Sequence, residues 1–312
     1  MTVPTSQATQ ARAGMRTLCL GEALVDLICE RPLEELAQAN AFVRHFGGAV
    51  ANVAVVAART GAPVALAGGA GDDSWGRWLR ERLAREGVEL SLFELVEGSQ
   101  TPVAVVVVAR GGEPRYQIYG ETIGTVVHAL ADRLEDAIRG SGALFLSSNT
   151  LVFADERAVT MRARELALAL ARPVIFDPNL RLHRWPSTAA AVAAANACVP
   201  GALLVRTNEA EAALMTGERD PERAALALVA TGARIVVITL GPGGAILRGA
   251  LRADAPGVPA QVLSTVGAGD ALTGVLLGRL ALADYDPAAV AAALPEAVAA
   301  SAKACERWGA LD

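Results

Sequence analysis

Residues 203–239 read LLVRTNEAEAALMTGERDPERAALALVATGARIVVIT, and the order of apolar runs in this stretch indicates the fold class. Two short runs rich in Val, Ile and Leu lie at its ends, Leu203 to Arg206 and Arg234 to Thr239. Between them are two segments rich in Ala and Leu, Glu209 to Thr216 and Pro221 to Thr231. Short β-branched runs are typical of strands, and longer Ala-rich segments are typical of helices. Strands that alternate with helices predict a mostly parallel sheet.

The same alternation continues toward the N-terminus. Strands are predicted at Thr17 to Ile28, Ala143 to Ser147 and Pro173 to Asp177. One pair of runs interrupts the rhythm, because Val103 to Arg110 and Arg115 to Tyr119 flank a Gly-Gly-Glu-Pro turn and predict an antiparallel hairpin. We therefore predict an α/β fold with a doubly wound, mostly parallel sheet, helices on both faces and a small β appendage. Ligands of such sheets bind beyond the carboxyl ends of the strands.

Composition and charge limit the classes of function. Hydrophobic residues make up 53% of the chain and charged residues 20%, which is typical of a folded globular protein. The formal charge of -5 provides no basic surface for nucleic acid or for an anionic membrane. Every apolar run is far shorter than the ~20 residues that span a bilayer. The expected partner is a small molecule, with neither nucleic acid nor a membrane.

The number of lysines excludes two classes of nucleotide-binding protein, the P-loop proteins and the protein kinases. Lys303 is the only lysine, so the chain has neither a P-loop nor the strand lysine of a protein kinase. The three His and four Cys residues are scattered and form no C-x-x-C pair, which argues against a His/Cys metal site. Residues 1–14 are polar and lack the apolar core of a signal peptide. We expect a disordered leader on a cytoplasmic protein, followed by one α/β domain over residues 15–312.

The turn Gly267-Ala-Gly-Asp270 precedes an apolar helical run. Small residues allow a tight turn, and the free N–H groups at the start of a helix then attract an anion such as a phosphate. Asp270 would accept the proton of an attacking alcohol there, with the helix dipole favouring its ionised form and keeping it a weak base. The alternative is that Asp270 only complements the dipole of an ordinary helix. Leu272 occupies the position of the third fingerprint glycine, which argues against a nicotinamide oxidoreductase.

A second pair of glycines, Gly47 and Gly48, comes shortly before Asn52 and a predicted helix. Asp26 lies near the end of the first predicted strand. Glycines let a polyol approach the backbone, and carboxylate and amide groups can satisfy sugar hydroxyls. These four residues are candidates for substrate binding. Asn52 would otherwise cap the helix, and Asp26 would otherwise be a turn residue.

Three further polar segments each follow a predicted strand, so they can face one crevice. Asn179 is a candidate for substrate binding, and Arg181 is a candidate for pairing with the transferred phosphoryl group. The candidates for nucleotide binding are Asn208, Thr239, Gly241, Gly243 and Gly244, and the candidate for holding Mg²⁺ through water is Glu211. Each segment would otherwise serve as turn or helix cap.

Taken in order, these segments resemble the PfkB, or ribokinase-like, family of sugar kinases. The resemblance runs from Leu18 to Leu311 and includes Ala67 to Gly76, which is similar to the first signature of the family. It also includes the segments that begin at Gly47, Asn208 and Gly267. Within the family, GEALVDL at residues 21–27 and FDPNLRLHRW at residues 176–185 most resemble bacterial fructokinases. The 2-keto-3-deoxygluconate kinases share the D-P-N-x-R element.

The resemblance implies a kinase that transfers the γ-phosphate of ATP to a sugar hydroxyl. The resemblance also implies that Asp270 is the base and that the amides of Gly267, Ala268 and Gly269 form the anion hole. It further implies sugar contacts from Asp26, Gly48 and Asn52 and a magnesium contact from Glu211. A small β-sheet lid is implied at about residues 29–46 and 100–121, with a homodimer formed through that lid.

One departure from the family concerns a cation. The family usually has Asp-Thr-Thr before the last motif, where this chain has Ser264-Thr265-Val266. A neutral serine is a poorer cation ligand than a carboxylate, so we do not expect potassium activation. Two alternatives stay open. One is a kinase for another small hydroxylated substrate, such as a keto-deoxy sugar acid or a nucleoside, and the other is a non-catalytic sugar or nucleotide sensor.

Overall fold

The computed structural model describes residues 15–120, 127 and 129–311. Its strands belong to two separate sheets. In chain order they are β1 (Thr17–Leu20), β2 (Leu24–Pro32), β3 (Val43–Gly47), β4 (Val64–Gly71), β5 (Phe93–Val96), β6 (Val103–Val108), β7 (Pro114–Tyr119), β8 (Ala143–Ser147), β9 (Val174–Asp177), β10 (Leu204–Asn208), β11 (Ile235–Thr239), β12 (Ala245–Gly249) and β13 (Ala253–Ala255).

The larger sheet has nine strands in the order β13-β12-β11-β10-β9-β8-β1-β4-β5. The pairs from β11 to β5 are parallel, and β12 and β13 add an antiparallel edge. Because successive strands run in one direction, the carboxyl ends of β8, β9, β10 and β11 meet at one edge. The polar segments of the sequence follow those ends.

Helices cover both faces of this sheet. They are α1 (Ala49–Arg59), α2 (Ser74–Arg85), α3 (Leu134–Arg139), α4 (Ala154–Ala169), α5 (Thr188–Cys198), α6 (Glu209–Thr216), α7 (Pro221–Ala230), α8 (Ala268–Leu282) and α9 (Ala288–Ala304). Side chains of α1, α2, α8 and α9 share one apolar core, and those of α3 to α7 share another. Alternate residues of β11 enter the two cores, Val237 on one side and Val236 on the other. The doubly wound prediction is confirmed.

The smaller sheet has the order β3-β2-β6-β7 and packs one face against the first of these cores. Its strand β2 begins at Leu24, earlier than the predicted lid segment that starts at residue 29. The predicted strand Thr17 to Ile28 is wrong, since β1 and β2 are separate strands in different sheets. The chain leaves the large sheet at Gly21, whose carbonyl oxygen would lie 2.0 Å from a Cβ added to Gly68. A side chain at residue 68 would therefore clash with the backbone at the point where the chain passes from one sheet to the other.

Most other predicted elements differ from the observed ones by a few residues at their ends. The short strand β5 and the helices α3 and α5 were not predicted. The predicted leader, residues 1–14, and the last residue of the predicted second lid segment, residue 121, lie outside the described residues. None of the described helices is both long enough and apolar enough to cross a membrane.

Candidate active site

Helix α8 begins with an open glycine turn. Gly267 has φ 75° and precedes the helix in the left-handed conformation, and a Cβ added there would lie 2.3 Å from the Cβ of Ala310. The N–H of Ala268 donates to the carbonyl oxygen of Thr265 at 3.2 Å. The N–H groups of Gly269 and Asp270 have no backbone acceptor in the described part of the chain, and no side chain there caps the helix. This turn therefore presents free donors to an anion.

Asp270 lies in the first turn of α8 and is partly buried. Its Oδ2 accepts a hydrogen bond of 2.8 Å from Nδ2 of Asn52, which is in α1 and is not the cap of that helix. Burial raises the pKa of Asp270 to about 6, against the opposing effects of the Asn52 hydrogen bond and of Arg181. We expected the helix dipole to keep this group a weak base, whereas burial, the largest of the effects on its pKa, acts in the opposite direction. Asp270 is ionised at neutral pH and is a stronger proton acceptor than an ordinary aspartate.

A second buried carboxylate, Asp26 on β2, lies beside the glycine pair of β3. A Cβ added to Gly47 would lie 2.5 Å from the Asp26 carboxylate, and Gly48 has φ 98°. Burial, and then the charge of Asp270, raise the pKa of Asp26 while Arg181 lowers it, and the resulting pKa is about 8. The two carboxylates and Arg181 therefore act on one another electrostatically at one site.

Arg181 joins this site to the smaller sheet. Its guanidinium carbon lies 4.9 Å from the centre of the Tyr116 ring on β7. Nearby, Asn179 has φ 39° and donates its backbone N–H to Oδ1 of Asp177 at 3.2 Å. The side-chain nitrogen of Asn179 is buried without a partner in the described structure. A buried donor without a partner favours a ligand or a water at that position.

The predicted nucleotide residues lie at the ends of the next strands. Thr239 ends β11, and the following turn Gly241–Gly243 is exposed and short. Gly244 has φ 94°, and a Cβ there would lie 2.0 Å from the carbonyl oxygen of Ala255. The Gly241–Gly243 turn therefore remains open to solvent at the edge of the site.

Asn208 and Glu211 are engaged with each other at the start of α6. The Asn208 Oδ1 accepts from the Glu211 N–H at 2.9 Å, and the Glu211 Oε2 accepts from the Asn208 N–H at 3.1 Å. The other carboxylate oxygen of Glu211 accepts from the N–H of Leu180 at 2.7 Å. Burial, and then the charge of Asp177, raise the pKa of Glu211. Both residues therefore have a capping role in addition to any contact with a ligand.

The described residues contain no group of three or more His, Cys, Asp or Glu side chains that could hold a metal ion. Magnesium keeps several waters and is usually bound through one or two carboxylates together with substrate phosphates. The residues present fit a magnesium ion carried by a nucleotide, rather than one enclosed by the protein.

Three functional candidates were missed from the sequence: Asp177, Arg206 and Thr273. Asp177 accepts from Arg206 Nη1 at 3.3 Å and from the Thr273 hydroxyl at 2.7 Å, and all three are buried. The signal was present, because Arg206 is a charge at the end of an otherwise apolar run. A buried charge needs a partner, and the partner is Asp177.

Comparison with known proteins agrees with this geometry. The family model described as pfkB family carbohydrate kinase matches residues 16–312. The chain belongs to this family. As a member it has the ribokinase-like fold and is an ATP-dependent sugar kinase of fructokinase-like type, as the sequence predicts.

Its relatives include kinases for different small molecules. Fructokinase-1 of Oryza sativa subsp. japonica is 30% identical to this chain, and the matched region covers 83% of this chain and 81% of the rice protein. A fructokinase from Vibrio cholerae O395, solved in a form bound to fructose, ADP and calcium ion, has a TM-score of 0.82 and 28% identity, covering 96% of this chain and 95% of that one. An aminoimidazole riboside kinase from Salmonella enterica, solved with aminoimidazole riboside and an ATP analog, has a TM-score of 0.81 and 26% identity, covering 95% of each chain.

Proposed function

We propose that this carbohydrate kinase phosphorylates fructose or a closely similar ketose. The observation that supports it most directly is the juxtaposition of Asp270, hydrogen-bonded to Asn52, with the free N–H groups of the α8 turn. A proton acceptor and an anion site lie side by side there, as phosphoryl transfer to an alcohol requires. The rice and Vibrio relatives are named fructokinases, which supports the choice of a ketose.

In this proposal the sugar is held between β2, β3 and α1. Asp26 and Asn52 bind its hydroxyls, Gly47 and Gly48 let it approach the backbone, and Asn179 contributes its unpartnered amide nitrogen. Buried groups aimed at hydroxyls select strongly against a ligand that lacks them, because they would be left unsatisfied. The site thereby favours a polyol.

The transfer step uses Asp270 as the proton acceptor. The sugar oxygen forms a bond to the γ-phosphorus, the bond from that phosphorus to the bridging oxygen of ADP breaks, and the hydroxyl proton passes to Asp270. The turn Gly267–Gly269 stabilises the charge of the transferred group, and Arg181 pairs with it. A base with a pKa of about 6 is mostly ionised at neutral pH and accepts the proton late in the step.

The nucleotide is proposed to lie along the ends of β10 and β11. Asn208, Thr239 and the glycines Gly241, Gly243 and Gly244 line that edge, where backbone N–H groups can meet phosphates. Magnesium would neutralise phosphate charge during transfer, and Glu211 would contact it through water. We do not propose a potassium site, because the hydroxyl oxygen of Ser264 already accepts from the N–H of Val266 at 3.1 Å.

Three further proposals accompany this function. A homodimer through the smaller sheet is supported by its exposed apolar side chains Phe42, Val43 and Tyr119. A cytoplasmic location stays a prediction. So does the organisation of residues 15–312 as one domain.

The test is ADP release from magnesium-ATP with a panel of fructose, tagatose, ribose, 2-keto-3-deoxygluconate, adenosine and aminoimidazole riboside, with Asp270→Asn as the blank. We expect turnover with fructose that disappears in the variant. Turnover with a nucleoside or a sugar acid alone would assign another substrate class to the same chemistry. Nucleotide binding without turnover of any substrate would favour a sensor.

A further inference from the structure

Arg206 packs against the Gly267–Gly269 turn, and both terminal nitrogens of its guanidinium are hydrogen-bonded. It stands on β10 with 7% of its surface exposed. Its Nη1 donates to Asp177 Oδ2 at 3.3 Å, and its Nη2 donates to the hydroxyl of Thr239 at 3.1 Å. The side chain therefore bridges β9 and β11 across the strand that carries it.

The guanidinium fills the space in which a side chain of residue 269 would lie. A Cβ added to Gly269 would be 2.7 Å from Arg206 Nη1 and 3.0 Å from Nη2. The same carboxylate oxygen of Asp177 that accepts from Arg206 also accepts from Thr273 on α8 at 2.7 Å. Helix α8 therefore packs closely on Arg206 at Gly269 and is hydrogen-bonded to Asp177 at Thr273, on either side of Asp270 along the chain.

We infer that Arg206, held by Asp177 and Thr239, is a positioning residue of the phosphoryl transfer that fixes the α8 turn and the charge around Asp270. This inference rests on the proposed function, because it assigns the turn to the anion and Asp270 to the proton. Arg206 acts by holding the turn in place and by the effect of its positive charge on Asp270. It is not proposed to contact the substrate. Misplacement of catalytic groups by about 1 Å can cost about 10²-fold in rate, which is the scale on which such support acts.

Three charged groups act on the pKa of Asp270: Arg206 on β10, Asp177 on β9 and Arg181 after β9. Asp26 on β2 is also part of the site, but with a pKa of about 8 it is protonated in the range where Asp270 titrates. The charges of Arg181 and Arg206 lower the pKa of Asp270, and the charge of Asp177 raises it. Removing Arg206 and removing the charge of Asp177 should therefore move the titration of Asp270 in opposite directions.

The experiment compares the pH dependence of kcat/KM for the sugar in wild type, Arg206→Met and Asp177→Asn. We expect the acid limb to move upward by about one pH unit in Arg206→Met and downward in Asp177→Asn. We also expect kcat of Arg206→Met to fall about 10- to 100-fold at its own pH optimum, with KM for ATP changed less than about threefold. Damage to the fold would lower activity in both variants, but it would not shift the two limbs in opposite directions.

A matched control is Arg248, a second buried arginine, which lies on β12 and pairs with Glu222 of α7 and with Asp254. Arg248→Met should lower the melting temperature in the way that Arg206→Met does, with its acid limb at the wild-type pH. Arg206→Lys keeps the charge and should keep the limb near wild type while restoring part of kcat. Limbs that coincide in wild type, Arg206→Met and Asp177→Asn would overturn the inference. A wild-type protein without kinase activity would instead remove the proposed function.

Discussion

The tetrapeptide Gly-Ala-Gly-Asp occurs twice in this chain, at residues 69–72 and 267–270, and the two copies lie in different structural surroundings. The first copy ends strand β4, and helix α2 begins three residues after its last glycine. The second copy forms the start of helix α8 itself. The first copy thus precedes a helix, whereas the second copy forms the beginning of one. The surroundings of the aspartates therefore differ between the two copies.

At the first copy the helix N–H groups are satisfied by the residue that follows it, Asp73, and the aspartate of the copy itself, Asp72, does not cap the helix. The carboxylate of Asp73 accepts from the N–H groups of Trp75 and Gly76 and from both the N–H and the hydroxyl of Thr101. Burial acts to raise the pKa of Asp73, but these hydrogen bonds outweigh burial and hold the pKa below its ordinary value. At the second copy no side chain caps the helix, and burial raises the pKa of Asp270. Asp73 therefore has a structural role, whereas the open donors at the start of α8 are available to a ligand, as the proposed function requires.

The sharpest test of this comparison exchanges the last aspartate of each copy for asparagine. Asp270→Asn removes the proton acceptor and should lower kcat by about 10²- to 10⁴-fold with nearly unchanged ATP affinity. Asp72→Asn is the matched control, because Asp72 is exposed and paired with Arg77 at the surface. Its kcat should equal that of wild type, as measured by steady-state ADP release. Equal losses in both variants, or wild-type turnover in Asp270→Asn, would contradict the assignment of the base.

The second test uses pH to separate the two helix starts. Asp270 must be ionised to accept a proton, and its pKa is about 6 in the free protein. We expect kcat/KM for the sugar to fall about tenfold per pH unit below pH 6 and to level off above it. The pKa of Asp73 lies below its ordinary value, so this cap should remain ionised and the fold intact through that range. A circular dichroism signal that fell together with activity would attribute the loss to unfolding instead.

Much of the fold could be predicted from local pattern. Helix α6 was predicted with its observed ends, because Asn208 caps its start and Gly217, at φ 79°, terminates it. The break between β1 and β2 could not be predicted, since both strands are largely apolar and the close packing of Gly68 against Gly21 joins positions far apart in the sequence. Local sequence reports caps and periodicity, whereas the choice of sheet depends on contacts between distant residues.

The site was predicted as a set of residues, but its internal contacts were not. Asn52 and Asp270 were both candidates, yet their hydrogen bond joins positions 218 residues apart. The raised pKa of Asp270 depends on burial by other elements, which the helix dipole argument alone could not include. Arg206 was a detectable signal, as the single charge of an otherwise apolar run, but its partners Asp177 and Thr239 lie 29 and 33 residues away along the chain and could not be predicted from it.

A third test measures how much the cap that follows the first copy, Asp73, contributes to the stability of the protein. Asp73→Ala removes the cap of α2, and loss of an N-cap costs about 1 to 2 kcal/mol of folding free energy. For a chain of this size we expect the melting temperature to fall by a few degrees, with kcat and KM unchanged at a temperature where the protein stays folded. The measurement is a thermal melt paired with kinetics, and Asp72→Asn is again the control. A selective loss of kcat without a change in melting temperature would mean that the first copy also takes part in the chemistry.

The smallest expected effect concerns the segment before the second copy. Ser264 is fully buried, carries no charge, and its hydroxyl oxygen accepts from the N–H of Val266 at 3.1 Å. A monovalent cation there would have to take this oxygen from that donor and would find no carboxylate at residue 264. We expect equal rates in potassium, sodium and choline chloride at matched ionic strength, with magnesium-ATP held constant. Activation by potassium alone would show that other oxygens complete a cation site, and that the second copy depends on an ion as well as on its own turn.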